Sequence, residues 1–326
     1  MLRRLRRPLT DRRAEQLLGG TAVAVVLVIV AMIVFIAISA WPSFQHNGLK
    51  WFGSGGDVDA ELGEMVNAGA DPSDEAYRLR AWPLVYATAL TTILAVGIGV
   101  VVSVLASIFI VELAPPRVRS IVVPVVRLLA AVPSVVYGLI GILVLVPFVN
   151  DHLISEGQRE SVAYVIPLTG PGLLVSVVLL TLMITPIMIA LIVDAMSAVP
   201  RGWREGALAL GVTQWRATMS VSVKAIRPAI VAAAVLASAR ALGEAIMLSM
   251  VSGSKGFAPQ PWDGLIFLFE PLRPLAATIA EQSEGISAPA LKASVYAMAL
   301  VLLVSSLFLS VGGSIIKRRF RVGTAR

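Results

Sequence analysis

Two charged residues, Arg240 and Glu244, lie inside an otherwise apolar stretch of the chain, Ala229–Ser254. An ionisable side chain near the middle of a bilayer costs at least ~2.5–3.5 kcal/mol on insertion scales, so a functional role is the first hypothesis. The i, i+4 spacing predicts that both side chains lie on one face of one helix. The alternative is a self-neutralising pair that only packs against a neighbouring helix.

The chemistry that this pair suits is recognition of an oxyanion. The guanidinium group of Arg240 presents a planar fork of donors that matches a tetrahedral anion. A neighbouring carboxylate repels sulfate, which carries no proton, but it can accept a hydrogen bond from phosphate, which is still protonated near neutral pH. We therefore hypothesise that Arg240 attracts the anion, and that Glu244 selects the protonated one and keeps Arg240 from trapping it.

The chain has few residues that suit metal binding, nucleophilic catalysis or ATP binding. It has no cysteine and two histidines, His46 and His152, both in predicted external loops. Haem ligation or a thiol metal site within the membrane is therefore not expected. The chain has no G-x-x-x-x-G-K-[ST] sequence, so ATP is not expected to bind here. We predict no catalytic residue, no metal site and no cofactor bound by this chain.

The elements that must position Arg240 and Glu244 are membrane helices. The 326 residues are 57% hydrophobic and 14% charged, whereas soluble domains average about 45–50% apolar and about 25% charged. A soluble enzyme, a disordered chain and a disulfide-stapled secreted domain are therefore excluded. Six stretches approach or exceed the roughly 20 residues that a spanning helix needs. They are Thr21–Ala40, Leu84–Val111, Leu128–Val149, Gly172–Val193, Ala229–Ser254 and Ala293–Ile316.

The distribution of charge predicts the orientation of these spans. Both termini and the loops after the second and fourth spans together carry 18 Lys and Arg residues, while the other side carries 7 basic and 14 acidic residues. By the positive-inside rule the first side is cytoplasmic, and the net charge of +7 needs no nucleic-acid partner. The predicted divisions are a basic N-terminus (1–20), a first helix (21–40), an external loop (41–83), a five-helix core (84–316) with a cytoplasmic loop (194–228), and a basic tail (317–326).

The cytoplasmic loop contains the sequence REGALALGVTQWR from Arg204 to Arg216. Helix formers precede Gly211, which is suited to end a short helix in a left-handed conformation. Thr213 can then cap a second short helix. We therefore predict a helix–turn–helix unit on the inner membrane surface.

This loop resembles the EAA loop of ABC-importer permeases. The matching residues are Glu205, Ala207, Gly211 and Pro228. Two positions depart from the family pattern, because Gly206 replaces the first alanine and Lys224 stands where the family usually has a proline. In that family the loop forms the coupling helices that sit in a cleft of the cytoplasmic ATPase. The resemblance implies that the coupling residues are Arg204, Glu205, Gly206, Ala207 and Gly211.

A further segment, Ala130–Leu139, resembles the Pro-Ser-Val-Val-Tyr-Gly stretch of phosphate permeases. Pro133 and Gly138 are predicted to break or kink the third span there. Ser134 and Tyr137 offer hydroxyl groups to a pathway, although a kinked packing helix explains them nearly as well. Arg240 and Glu244 do not decide the anion alone, because sulfate and molybdate permeases carry a similar string.

The N-terminal arrangement also resembles the C-type (PstC-type) permease subunit of the phosphate-specific ABC importer. The first span ends in Trp41–Phe44, a long external segment follows, and the second span ends in Glu112–Pro115. The likeness covers nearly the whole chain apart from an acidic insert at 55–78, to which no role is assigned.

The resemblance implies an all-α integral membrane protein with the six transmembrane helices of the type I ABC-importer permease fold, both termini cytoplasmic, in the bacterial cell membrane. It implies half of the pathway of an ATP-driven phosphate importer, lined by Arg240, Glu244, Ser134 and Tyr137. The implied partners are a homologous second permease (A-type subunit), a cytoplasmic ATPase dimer that binds ATP and Mg²⁺, and an external phosphate-binding protein. The alternatives are a sulfate or molybdate permease, a secondary transporter, and a structural or assembly subunit.

Overall fold

The computed structural model describes residues 9–70 and 72–322, so the ends of the predicted basic N-terminus and tail lie outside the described residues. The described chain is almost entirely helical and contains no β-strand. The α-helices are α1 (Leu9–Asn47), α2 (Val58–Asn67), α3 (Trp82–Ile108), α4 (Pro116–Leu129), α5 (Ser134–Ile140), α6 (Val146–His152), α7 (Glu156–Val162), α8 (Leu173–Ser197), α9 (Arg201–Ala209), α10 (Gln214–Ala217), α11 (Arg227–Leu242), α12 (Ile246–Val251), α13 (Leu275–Glu281) and α14 (Pro289–Val322).

Within the described residues, five helical stretches are long and apolar enough to cross a membrane. A sixth is present if the pair Gln214–Val223 and Arg227–Leu242, bent by 67°, counts as one span. The predicted all-α membrane fold is confirmed, and the count reaches the predicted six only with this bent pair, whose bounds differ from those of the predicted span Ala229–Ser254. The five stretches are Ala14–Phe52, Asp74–Leu113, Ser134–His152, Leu173–Ser197 and Pro289–Lys317.

The helix α8 lies at the centre of the bundle. Its residues Leu180, Ile184 and Met188 are fully buried, and the helix packs against α3 and α11. By contrast, α1 packs mainly against α14 and leaves most of its apolar side chains exposed. An exposed apolar surface of that length is one that lipid would cover.

The third span differs from its prediction. The helix begins at Ser134, not at Leu128, because the chain is extended at Pro133, with φ −61° and ψ 139°. Proline lacks a backbone N–H and disfavours helical geometry in the residue before it. The break predicted at Pro133 is therefore confirmed. No break occurs at Gly138, which lies within α5. From Gly141 to Leu145 the helix widens into a π-helix before α6.

The described residues of the acidic insert at 55–78 belong to a group of short helices, which we call the cap and define as residues 48–70, 72–81 and 253–288. Its helix α2 buries Val58, Leu62 and Met65 in the same hydrophobic cluster as α14. The side chain of Arg273 joins the two halves of the cap, with Nη1 2.9 Å from Asp59 Oδ1 and Nε 3.0 Å from Glu281 Oε2. The insert is therefore an integral part of the fold.

The cap contains a buried carboxyl group whose protonation depends on folding. Burial raises the pKa of Glu61 above its ordinary 4.5, although the backbone N–H of Arg80 and the charges of Arg78 and Arg80 favour the ionised form. The folded chain therefore binds this proton more tightly than the unfolded chain does. Between pH 4.5 and the folded pKa, the contribution of Glu61 to stability falls as the pH rises.

We expect Glu61→Gln to flatten the loss of thermal stability between pH 4.5 and neutral pH, because the neutral amide does not titrate. Some slope remains, since burial also raises the pKa of Glu270. The measurement is thermal unfolding of the purified chain in detergent, followed by tryptophan fluorescence; Trp51 is fully buried in the cap. Glu75→Gln, at an exposed position of the cap, serves as the control and keeps the wild-type slope. An unchanged slope in Glu61→Gln would contradict this prediction.

Candidate functional site

The predicted fifth span is a broken helix, and this changes the geometry of Arg240 and Glu244. Helix α11 ends at Leu242, and α12 begins at Ile246. The prediction that the two side chains share one face of one helix is therefore wrong. The i, i+4 rule applies within a continuous α-helix. Glu244 lies outside both α11 and α12, and its backbone N–H donates to the carbonyl of Ala241, three residues back instead of four.

Arg240 lies in the last turn of α11 with an unsatisfied donor. Its Nε is buried and has no hydrogen-bond partner among the described residues. No hydrogen bond or ion pair joins Arg240 to Glu244 in this part of the chain. Buried polar atoms are nearly always hydrogen-bonded, so an orphaned guanidinium donor calls for a water molecule or a ligand oxygen. The Nε of Arg240 is therefore a donor that a water molecule or an anion can satisfy.

Glu244 lies in the break between the two helices. It is 8% exposed, and its Oε1 accepts a hydrogen bond from the backbone N–H of Met247 at 3.2 Å. This carboxylate oxygen therefore caps the N-terminus of α12. The second oxygen, Oε2, has no partner among the described residues. Irregular backbone within a membrane is tolerated where it is buried in protein or lines a water-filled cavity.

Ser134 and Tyr137 lie on α5, the helix that packs against α12. Both are half-buried, and the Tyr137 hydroxyl donates to the Leu129 carbonyl at 3.4 Å. In the described part of the structure, neither hydroxyl contacts Arg240 or Glu244 by a hydrogen bond. The structure thus brings the two segments into one region without joining their polar groups. Nor do the described residues contain a group of His, Cys, Asp or Glu side chains that could hold a metal ion.

Two glycines permit the close approach of α5 to its neighbours. A Cβ atom on Gly138 would lie 3.2 Å from the Cα of Met247 and 2.8 Å from the sulfur of Met250. One on Gly141 would lie 2.4 Å from Cδ1 of Leu179. Gly138 is thus a packing position against α12.

The loop between α8 and α11 has the predicted helix–turn–helix form. Helix α9 ends before Gly211, whose φ is +80°, and Thr213 Oγ1 accepts a hydrogen bond from the N–H of Arg216 to cap α10. Both predictions of local structure are confirmed. Within α9 no residue is buried, and only Arg204 and Ala207 are half-buried. Its remaining seven residues, which include Glu205 and Gly206, are exposed.

One residue of this region, Glu112, was not identified as a candidate from the sequence. Its carboxylate forms an ion pair with Arg204 and accepts a hydrogen bond from the hydroxyl of Ser222 at 3.1 Å. The signal available in the sequence was a single carboxylate directly after the apolar span Leu84–Val111. That signal alone does not distinguish it from an ordinary interfacial charge.

Comparison with known proteins gives consistent similarities. Residues 99–322 match the family described as "Binding-protein-dependent transport system inner membrane component". The chain is 31% identical over 261 residues to the probable ABC transporter permease protein YqgH of Bacillus subtilis, covering 80% of this chain and 77% of that one. It is 33% identical over 317 residues to the phosphate transport system permease protein PstC 1 of Mycobacterium tuberculosis, covering 93% and 91%.

Among solved structures, a bacterial alginate ABC transporter in complex with an alginate pentasaccharide-bound periplasmic protein contains a similar chain. The TM-score is 0.58 at 15% sequence identity, with 94% of this chain and 97% of that chain covered. At this identity the likeness concerns the fold alone.

Proposed function

The chain belongs to the family of binding-protein-dependent transport system inner membrane components, and we propose that it forms half of the translocation pathway of an ATP-driven importer of inorganic phosphate. As a permease subunit of an ABC importer, it is a multi-pass protein of the inner membrane and is not itself catalytic. An oxyanion as the substrate rests on one observation: the buried, unsatisfied Nε of Arg240 lies four residues before the Glu244 carboxylate in the same predicted span. The choice of phosphate among the oxyanions rests in addition on the similarity to a phosphate transport permease.

The chemistry of these two groups favours a protonated anion. Arg240 supplies a charged donor that its surroundings do not satisfy, and a tetrahedral oxyanion provides matching acceptors. Oε2 of Glu244 is free to accept a hydrogen bond from a P–OH group of phosphate, whereas sulfate carries no such group. A carboxylate facing sulfate adds repulsion and an unpaired acceptor, which together oppose its passage. The similarity to a phosphate transport permease over most of the chain supports the same substrate.

The exposure of α9 supports a cytoplasmic ATPase as the partner of the coupling loop. Seven of its residues are exposed, and Trp203 and Leu208 are among them. Leu210, which follows α9, is 85% exposed. Apolar groups that extend into water at a membrane surface are typical of a protein interface. We assign Arg204, Glu205, Gly206, Ala207 and Gly211 to coupling with an ATPase dimer that binds ATP and Mg²⁺.

Two other partners complete the proposed importer. A homologous second permease supplies the other half of the pathway and packs against small residues such as those of Ala229–Ala241. An external phosphate-binding protein delivers the anion to the side opposite the coupling loop. We place both termini and the coupling loop in the cytoplasm because that side then carries the excess of Lys and Arg.

The proposal is tested by reconstituting the four-component complex in proteoliposomes and measuring uptake of labelled phosphate, sulfate and molybdate. We expect uptake of phosphate that depends on ATP and on the binding protein. Uptake of sulfate or molybdate but not phosphate would contradict the substrate. Phosphate uptake that needs no ATP would favour a secondary transporter.

Replacing Glu244 by glutamine is expected to reduce the preference for phosphate over sulfate by about fivefold or more. Gln keeps an acceptor for the N–H of Met247 but removes the negative charge that repels sulfate; an unsatisfied or repelled buried group costs about 1–3 kcal/mol. The measurement is the ratio of phosphate to sulfate uptake in the same proteoliposomes. Glu160→Gln, which neutralises an exposed carboxylate on α7, is the matched control. Unchanged selectivity in Glu244→Gln would refute the role of this carboxylate.

A further inference from the structure

Glu112 joins three segments that are far apart in the sequence. It lies in the π-helix Phe109–Leu113 that continues α3, and its side chain is 4% exposed. Its carboxylate is paired with Arg204 of α9 and accepts a hydrogen bond from Ser222 in the π-helix Thr218–Val223. π-Helical turns are rare and frequently occur at functional sites. Here two of them meet at one carboxylate.

The ion pair is the main polar attachment of α9 to the helix bundle. Because only Arg204 and Ala207 of this helix are even half-buried, apolar packing holds it weakly. A polar cavity of about 310 Å³ lies beside the pair, lined in part by Arg119, Arg201 and Glu205. Glu112 and Arg204 also line this cavity, and their ion pair connects α9 with the end of α3.

Glu112 is connected to two parts of the helix bundle, one through its own backbone and one through Ser222. Through its own backbone Glu112 is continuous with α3, which packs along α8 and α11. Through Ser222 it is connected to the segment that precedes α11, and Arg240 lies in the last turn of that helix. A displacement of α9 therefore acts on both α3 and α11 through one buried carboxylate.

We propose that Glu112 is a positioning residue for transport, which transmits the movement of the coupling helix α9 to α3 and α11. This inference rests on the proposed function for the existence of an ATPase that moves α9. It does not depend on which anion is carried. It predicts that loss of the carboxylate charge separates ATP hydrolysis from transport.

The test uses Glu112→Gln in the complete reconstituted complex, and the readout is the number of anions transported per ATP hydrolysed. Glutamine keeps the size of the side chain and an acceptor for Ser222, but it removes the ion pair with Arg204. We expect the ratio to fall at least fivefold while ATPase activity and assembly stay within twofold of wild type. Glu112→Asp, which restores the charge, is expected to regain most of the ratio.

The matched control is Asp194→Asn, which removes a carboxylate from the Arg127–Asp194 ion pair. In that pair the N···O distance is 2.8 Å, and the side chains are 57% and 62% exposed. Loss of this ion pair is expected to leave the ratio of anions transported to ATP hydrolysed unchanged, because exposed ion pairs contribute little free energy.

A normal transport ratio in Glu112→Gln would overturn the inference, and so would loss of assembly, which would make the residue a structural anchor. The ratio is measured with whichever anion the wild-type complex transports. Failure of the wild type to transport phosphate therefore contradicts only the proposed substrate.

Discussion

Replacing Arg240 by alanine is expected to lower ATP-driven phosphate uptake by at least about tenfold while the complex still assembles. Hydrogen bonds to charged groups contribute about 1.5–3 kcal/mol each, which corresponds to roughly ten- to hundredfold in binding or rate. The buried Nε of Arg240 has no partner among the described residues, so the substitution removes no described internal hydrogen bond. The loss is therefore expected in transport and not in stability. The measurement is initial uptake of labelled phosphate into proteoliposomes.

Two further variants serve as comparisons. One tests whether positive charge alone is enough at position 240, and the other tests whether the loss of a different arginine has the same effect. Arg240→Lys keeps the positive charge but not the planar fork, so an intermediate loss is expected. Arg127→Ala removes an arginine whose partner, Asp194, is exposed, and uptake is expected to stay within twofold of wild type. Undiminished uptake in Arg240→Ala would remove Arg240 from the pathway. A loss that is accompanied by failed assembly would reassign it to packing.

Replacing Gly211 by valine is expected to lower uptake by about five- to thirtyfold through the coupling loop. The φ of Gly211 is +80°, and left-handed geometry costs an L-residue about 1–2 kcal/mol, which is a factor of about 5–30 in the equilibrium constant between the native turn and other conformations of the loop. The N–H groups of Gly211 and Val212 donate to the carbonyls of Leu208 and Ala207, the bonding pattern of a Schellman motif. The measurement is phosphate uptake alongside ATPase activity of the complex.

The control for Gly211→Val is Gly202→Ala, in the same loop. A Cβ atom on either glycine meets no heavy atom within 4 Å, so neither substitution introduces a clash. Gly202 lies within α9 and has no positive φ, and alanine there favours the helix by up to ~1 kcal/mol. We expect wild-type uptake for Gly202→Ala. Equal behaviour of the two variants would show that the left-handed turn is not required for coupling.

Several features of the site could be predicted because they depend on neighbours in the sequence. The turn at Gly211 and the cap at Thr213 involve residues within one or two turns of one another, so residue type and order suffice. The break before Ser134 follows in the same way from Pro133. The position of Arg240 and Glu244 within a spanning segment needs only the hydropathy of the residues around them.

Other features could not be predicted because they depend on residues that fold together from a distance. Glu112 and Ser222 are 110 positions apart, and neither lies in a motif that predicts their contact. Glycine at position 138 is compatible with a break in the helix, but α5 continues through it, and its close contact with Met247 and Met250 of α12 has no signal in the sequence. The acidic insert contains no sequence signal for its contact with Arg273, which is 214 positions from Asp59.

The sequence by itself determined that this is a helical membrane protein with two charged residues in its fifth predicted span and a helix–turn–helix loop before that span. Transfer free energies and local backbone preferences are properties of short segments, and they are read from composition and order. Only the tertiary structure decided that α11 ends before Glu244, that Arg240 keeps an unsatisfied donor, and that Glu112 joins α9 to the bundle. These outcomes depend on which groups burial brings together, because a buried polar atom is satisfied or left unsatisfied by neighbours that are distant in the chain.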